Sequence, residues 1–239
     1  MTTATLTRTN AHRRDFGVLS GVLYALFFVA SIVIAGALGP SGTVTPYSSD
    51  AEVQAYRLKD PATLEDLFRM LGLLQGLSAL ALLAFVPCLT SFVRRYGSDV
   101  RAGVVRALAT VAGALLLLSA STSWVLAQIG SRAELSTYRA VSDLSFITGA
   151  GPAIAALGVA VFLVAATGRA IHALPAWVAW SGMMIGAAGV LSMSSLVAEG
   201  GSVFIPVGRF LGFAWFVALS VVLWGRGRRA DDLSSTGKP

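Results

Sequence analysis

Six ionisable residues stand within or at the edges of long apolar runs: Asp66, Arg69, Arg139, Asp143, Glu199 and Arg209. An ionisable group in a membrane segment is costly, by about 2.5–3.5 kcal/mol at mid-bilayer on insertion scales, and it usually turns toward the bundle interior. Three of the six are carboxylic acids. Burial raises a carboxyl pKa, and a neutral carboxyl can protonate an alkene or epoxide, so Asp66, Asp143 and Glu199 are the candidate catalytic residues. The three arginines hold their protons and each needs several acceptors. With the amides of Gln75 and Gln128 and the hydroxyl of Thr148, Arg69, Arg139 and Arg209 form a candidate binding set for a small lipophilic or anionic ligand. A purely structural reading stands beside these two. Glu65–Arg69 and Arg139–Asp143 are spaced i,i+4, helix-end charges can snorkel, and Thr63 with Asp66 has the spacing of a helix cap. The set predicts that Arg69 and Arg209 lie on neighbouring inner faces and share acids drawn from Asp66, Asp143 and Glu199.

Other chemistries find little support. The single cysteine, Cys88, rules out an internal disulfide and has no histidine or acid beside it. His12 and His172 lie far apart, so no metal site is suggested and no cofactor is expected. Ser192, Ser194 and Ser195 have no neighbouring base, no nucleotide-binding fingerprint is present, and no apolar run contains a lysine for a Schiff base.

Composition sets the elements that must position these residues. Of 239 residues, 55% are hydrophobic and 13% charged, against about 25% charged in soluble domains. This is the composition of an integral membrane protein. The net charge of +6 sits in short segments beside apolar runs, where it sets topology, and nucleic acid is not an expected partner. The pattern predicts an all-α, polytopic transmembrane bundle of six helices, at about 16–38, 66–93, 104–129, 138–167, 175–198 and 206–225. Residues 1–15 and 226–239 read as tails. The first run is longer than the ~7–15 residue core of a signal peptide, so it reads as a retained helix, although Arg13-Arg14-Asp15-Phe16 and Ala35-Gly36-Ala37 resemble export and cleavage signals.

A short extracytoplasmic helix is expected over Asp50–Lys59, between helices 1 and 2. Ser49 and Glu52 have capping-box spacing, Val53, Tyr56 and Leu58 give it an apolar edge, and Asp60-Pro61 ends it. A bend is expected near Pro152 in the fourth run, which also holds Gly149 and Gly151. With both termini inside, twelve of the 18 basic residues fall on the cytoplasmic side, the bias expected of an inner (plasma) membrane protein. Trp124, Trp177, Trp180 and Trp224 mark helix ends. Gly17/Gly21, Gly72/Gly76, Gly182/Gly186 and Gly208/Gly212 are small-residue pairs that suit helix packing or a homo-oligomer. Arg69-Met70-Leu71-Gly72-Leu73 parallels Arg209-Phe210-Leu211-Gly212-Phe213 over five positions.

The stretches Tyr56–Leu82 (YRLKDPATLEDLFRMLGLLQGLSALAL) and Leu174–Leu191 (LPAWVAWSGMMIGAAGVL), with six runs at this spacing, resemble a group of uncharacterised multi-pass membrane proteins of bacteria, mostly actinobacteria, assigned to a domain of unknown function. The resemblance covers about 16–225 and implies a six-helix fold without an activity. In size and in candidate buried carboxylates the chain is also similar to small integral-membrane terpene cyclases, which look like seven-helix bundles where this chain shows six runs. Three functions follow as expectations. The first is ligand or partner binding through an outward-facing polar pocket, the second is acid catalysis by a buried carboxyl, and the third is transport through a helix broken near the midplane.

Overall fold

The structure, a computed structural model, describes residues 3–39, 44–130 and 132–236, and their side chains from 17 to 226. Its elements in chain order are α1 (Thr3–Leu38), α2 (Asp50–Lys59), α3 (Pro61–Tyr96), α4 (Asp99–Ile129), α5 (Leu135–Gly149), α6 (Gly151–Ala170) and α7 (Ala176–Leu191). Two 3₁₀ turns, Ser192–Leu196 and Glu199–Val203, lead into α8 (Phe204–Thr236). Among the described residues, six helical stretches are long and apolar enough to span a membrane, with α5 and α6 together forming one of them. The chain is therefore an all-α, multi-pass membrane bundle. Helical backbone extends beyond the apolar runs at both ends of the chain, to Thr3 and to Thr236, where polar tails were expected.

The spans close into a ring. α1 packs on α3, α3 on α4, α4 on α5 and α6, α6 on α7, α7 on α8, and α8 returns to α1. Large side chains fill the centre: Phe85, Phe216, Leu82 and Val164 are all fully buried. Tyr24 stands edge-on to Phe213 and Phe216, with ring centroids 5.3 Å away in each case. Apolar burial adds little between helices surrounded by lipid, so contact and hydrogen bonding must hold them together. Such bonds join ring neighbours: Ser78 Oγ on α3 donates to the Tyr24 carbonyl on α1 at 2.7 Å, and Trp215 Nε1 on α8 donates to the Val178 carbonyl on α7 at 2.8 Å. Small residues permit a close crossing between α6 and α7, where a Cβ on Gly158 would lie 2.7 Å from the Gly186 carbonyl oxygen. The Gly17, Gly21, Gly72, Gly182, Gly186 and Gly208 positions likewise face neighbouring helices of the same chain. Gly212 differs, since its nearest neighbour would be Ile185 at 4.0 Å.

Caps define the helix ends. Ser49 and Glu52 form the reciprocal capping box of α2. α3 is capped by Asp60, whose carboxylate accepts from the Thr63 amide (3.2 Å) and hydroxyl (2.7 Å), and not by Thr63 with Asp66 as their spacing suggested. Pro61 occupies the first turn and leaves Asp60 as the last residue outside the helix, which is the cap position. α4 stops at Gly130, whose φ of +34° favours glycine. The bend expected near Pro152 is a complete break. Ala150 has φ −104° and ψ −108°, outside helical angles, and it separates α5 from α6.

α2 docks against α3 and α5 through a small second core of Val53, Leu126 and Tyr138. Leu58, expected on its apolar edge, is 50% exposed, whereas Arg57 is buried. The Arg57 guanidinium lies 5.5 Å from the Tyr138 ring centre and donates to the Ala133 carbonyl at 2.7 Å. The side chain four residues after Val53 thus lies along the apolar surface by its stem and places one guanidinium N–H on a loop carbonyl, while its buried Nε has no hydrogen-bond partner among the described residues.

Candidate functional site

The six charged residues all lie toward the α2 end of the bundle, yet they do not form one site. Arg69 pairs with Glu65 and Asp66 on its own helix, and its side chain is 48% exposed. Asp66 is 80% exposed. Arg139 pairs with Asp143 at 3.7 Å and with Asp50 at the start of α2, and it donates to the carbonyls of Ser48 (2.8 Å) and Pro46 (3.2 Å). It therefore clasps the segment before α2 onto α5. Glu199 is exposed in the second 3₁₀ turn. Gln128 is exposed and Gln75 half-buried. Thr148 is buried, but its hydroxyl donates to the Leu144 carbonyl at 2.7 Å, one turn back.

The expectation that Arg69 and Arg209 share acids is thus corrected. Arg69 finds its acids one turn back on its own helix, and Asp143 is taken by Arg139. The polar residues of α4 are likewise committed elsewhere. Ser119 Oγ donates to the Ser145 carbonyl at 2.8 Å, and Ser123 and Ser145 hydroxyls meet at 3.2 Å, forming a seam between α4 and α5. Among the described residues, no group of three or more His, Cys, Asp or Glu gathers to hold a metal.

Arg209 is the exception. It is part-buried in α8, its guanidinium donates to the carbonyl of Gly149, and the guanidinium carbon lies 4.8 Å from the centre of the Phe28 ring. Gly149 ends α5, so Arg209 meets the negative end of a helix at the point where that helix breaks. No carboxylate among the described residues pairs with it. At ~1.5 Å per residue, Arg209 lies about 7.5 Å into α8 from Phe204, toward the α2 end of that span.

Arg209 forms one wall of a cleft inside the ring. The cleft is a narrow slit whose open interior, about 20 Å³, has room for about one water molecule. Tyr24, Leu116, Ala153, Leu157, Ile185 and Gly212 are among its other walls. Tyr24 is only 4% exposed, and its hydroxyl has no hydrogen-bond partner among the described residues. A donor from α1 and a cation from α8 therefore face one apolar cleft. Sequence reasoning singled out Arg209 but missed Tyr24, because an isolated tyrosine in the apolar run LSGVLYALFF carries no spacing signal. It also missed that Gly212 leaves room where Gly208 is packed. The five-residue parallel with Arg69 does not extend to surroundings, since Gly72 is packed within 3.0 Å of the Ala120 carbonyl while Gly212 is open.

No family model, curated protein or solved structure matches this chain.

Proposed function

We propose that this chain is a plasma-membrane protein that binds a small lipophilic ligand inside its helix ring, in the cleft between Tyr24 and Arg209. In this reading α2 lies outside the cytoplasm, and both termini, with the arginine-rich 94–106 connection, lie within it. One observation carries the proposal: two helices bring Tyr24 and Arg209 to the wall of one apolar cleft, and among the described residues no carboxylate pairs with them. An apolar pocket with a few convergent polar groups is the usual form of a small-molecule site.

Acid catalysis has weaker support. A catalytic carboxyl needs burial to stay protonated near neutral pH, whereas Asp66 and Glu199 are exposed and Asp143 faces Arg139. Transport is the second reading, and the α5–α6 break favours it, because transporters build their sites at discontinuous helices.

Native mass spectrometry of the full-length protein, extracted from its own membrane, tests the binding reading. The expected result is a persistent lipophilic adduct that is lost in Gly212→Leu, a variant whose side chain enters the cleft without a backbone clash. An adduct retained by a folded Gly212→Leu, or the absence of any adduct on wild type, overturns it.

A further inference from the structure

We propose, resting on the reading of the cleft as a ligand site, that its ligand is an amphiphile with an anionic headgroup, a carboxylate or phosphate held between the Tyr24 hydroxyl and the Arg209 guanidinium. Arg209 carries five N–H donors, and the structure offers them one carbonyl, that of Gly149, and the face of Phe28. A partial helix-end charge and a ring quadrupole do not neutralise a whole cation. In a site of low dielectric an uncompensated guanidinium recruits an anion, and the planar donor fork suits carboxylate or phosphate.

Two further groups point the same way. The Tyr24 hydroxyl is a donor held in the cleft with no acceptor among the described residues. The first turn of α6 lies at the same place, with Ala153 on the cleft wall. The amide of Ala153, in that first turn, has no intrahelical acceptor, and the positive end of the helix favours negative charge. These donors repel a cationic head. A neutral alcohol supplies a single oxygen, whereas a carboxylate offers about four lone-pair sites.

The tail follows from the remaining walls. Leu157, Val161 and Ile185 present hydrocarbon, and the open flank of Gly212 leaves space beside them. The slit has room for about one water molecule, so a chain of methylenes enters by parting these apolar walls on the open flank of Gly212, whereas a free inorganic anion gains nothing from them.

The test uses full-length protein in nanodiscs of zwitterionic phosphatidylcholine, labelled by palmitate bearing a photoactivatable diazirine near its terminal methyl group. Label is expected on peptides of α6, α7 and α8. Palmitate and hexadecyl phosphate should displace it at concentrations about tenfold or more below hexadecanol, hexadecyltrimethylammonium or sodium sulfate, as expected when a charged hydrogen bond is lost. Displacement by phosphatidylglycerol as well would identify the ligand as an anionic bilayer lipid, and its failure would identify a free acid; both support the proposal. Tyr24→Phe, which changes one atom of a packed ring, should weaken labelling several-fold, and Arg209→Gln should abolish it while Arg209→Lys restores part.

Equal displacement by hexadecanol and palmitate would overturn the anionic headgroup. If Gly212→Leu still abolished labelling, the cleft would survive as a neutral-ligand site. Wild-type labelling in folded Tyr24→Phe and Gly212→Leu would remove both readings. Displacement by sulfate alone would overturn the amphiphile.

Discussion

Arg209 on α8 donates to the carbonyl of Gly149, sixty residues earlier in the chain, and so links the last span to the break in the fourth. The break has little room around it. A Cβ on Gly149 would lie 2.4 Å from Ser119 Oγ and 3.0 Å from Ser119 Cβ. Gly149→Ala is therefore expected to push α4 from α5 and to lower stability by about 1–3 kcal/mol, the usual range for overpacking. Thermal denaturation of the purified protein in detergent checks this, and an unchanged midpoint would show that the junction relaxes freely.

The α6–α7 crossing gives a second prediction with an internal control. At Gly158 an added methyl meets backbone, the Gly186 carbonyl at 2.7 Å and Gly189 Cα at 3.0 Å, which cannot rotate away. At Gly36 it meets nothing within 4 Å. Gly158→Ala should therefore separate α6 from α7 and lower the melting midpoint, whereas Gly36→Ala should leave it unchanged or raise it, alanine being about 1 kcal/mol the better helix former. Equal effects of the two would show that propensity outweighs packing in this bundle.

The spans were legible in the sequence because six apolar runs separated by charged connections leave few other solutions. The capping box of α2 and the disruption near Pro152 were legible too, since each follows from local backbone chemistry. Cross-helix partners were not. Whether Arg69 reaches Asp143 or its own Glu65 depends on the rotation of α3 about its axis, and apolar residues surround that helix on every side. Arg57 was hidden for a related reason: counted as a charge it belongs to the wet face of α2, but its stem and ring contact place it on the dry one.

Arg57 is expected to hold α2 in place. Arg57→Ala removes a charged hydrogen bond to Ala133 and a ring contact with Tyr138, together about 2 kcal/mol. Amide hydrogen exchange over 50–59 should accelerate by one to two orders of magnitude, with the spanning helices unaffected. Unchanged exchange in that segment would mean that Val53 alone suffices to dock it.

The α2 cap should respond to acid. Hydrogen bonds from the Ser49 amide and hydroxyl hold the Glu52 carboxyl below the usual carboxylate range. A group whose pKa is lowered by folding stabilises the folded form above its unfolded value and loses that contribution as pH falls through the folded one. Protection of the first-turn amides of α2 should thus be flat from neutral pH to about 5 and decline below about 4.3, the ordinary glutamate value. Ser49→Ala should be less protected throughout and show a shallower decline. A decline of equal size in that variant would assign the acid response to another carboxylate, such as Asp60, which the Thr63 hydroxyl and amide also hold low.

The last prediction separates two arginines that the sequence presents as equivalents, each spaced to pair with an acid on its own helix. Arg69 is half exposed and, among the described residues, pairs along α3 alone, with Glu65 and Asp66. Such pairs contribute about 0–1 kcal/mol, so Arg69→Ala should fold in normal yield with its melting midpoint nearly unchanged. Arg139 instead reaches across the chain, to Asp50 and to the carbonyls of Pro46 and Ser48, and it is more enclosed, at 27% exposure. Removing it leaves those carbonyls without their donor and releases the segment that leads into α2. Arg139→Ala should therefore expose the 44–59 connection to protease, and Arg139→Lys should rescue it only in part, because one ammonium cannot span the acceptors that the guanidinium fork reaches. Limited proteolysis read by mass spectrometry decides the matter. Cleavage within 44–59 that is equally slow in Arg69→Ala and Arg139→Ala would show that Tyr47, whose hydroxyl donates to the Ser195 carbonyl at 2.6 Å, anchors the segment without the clasp.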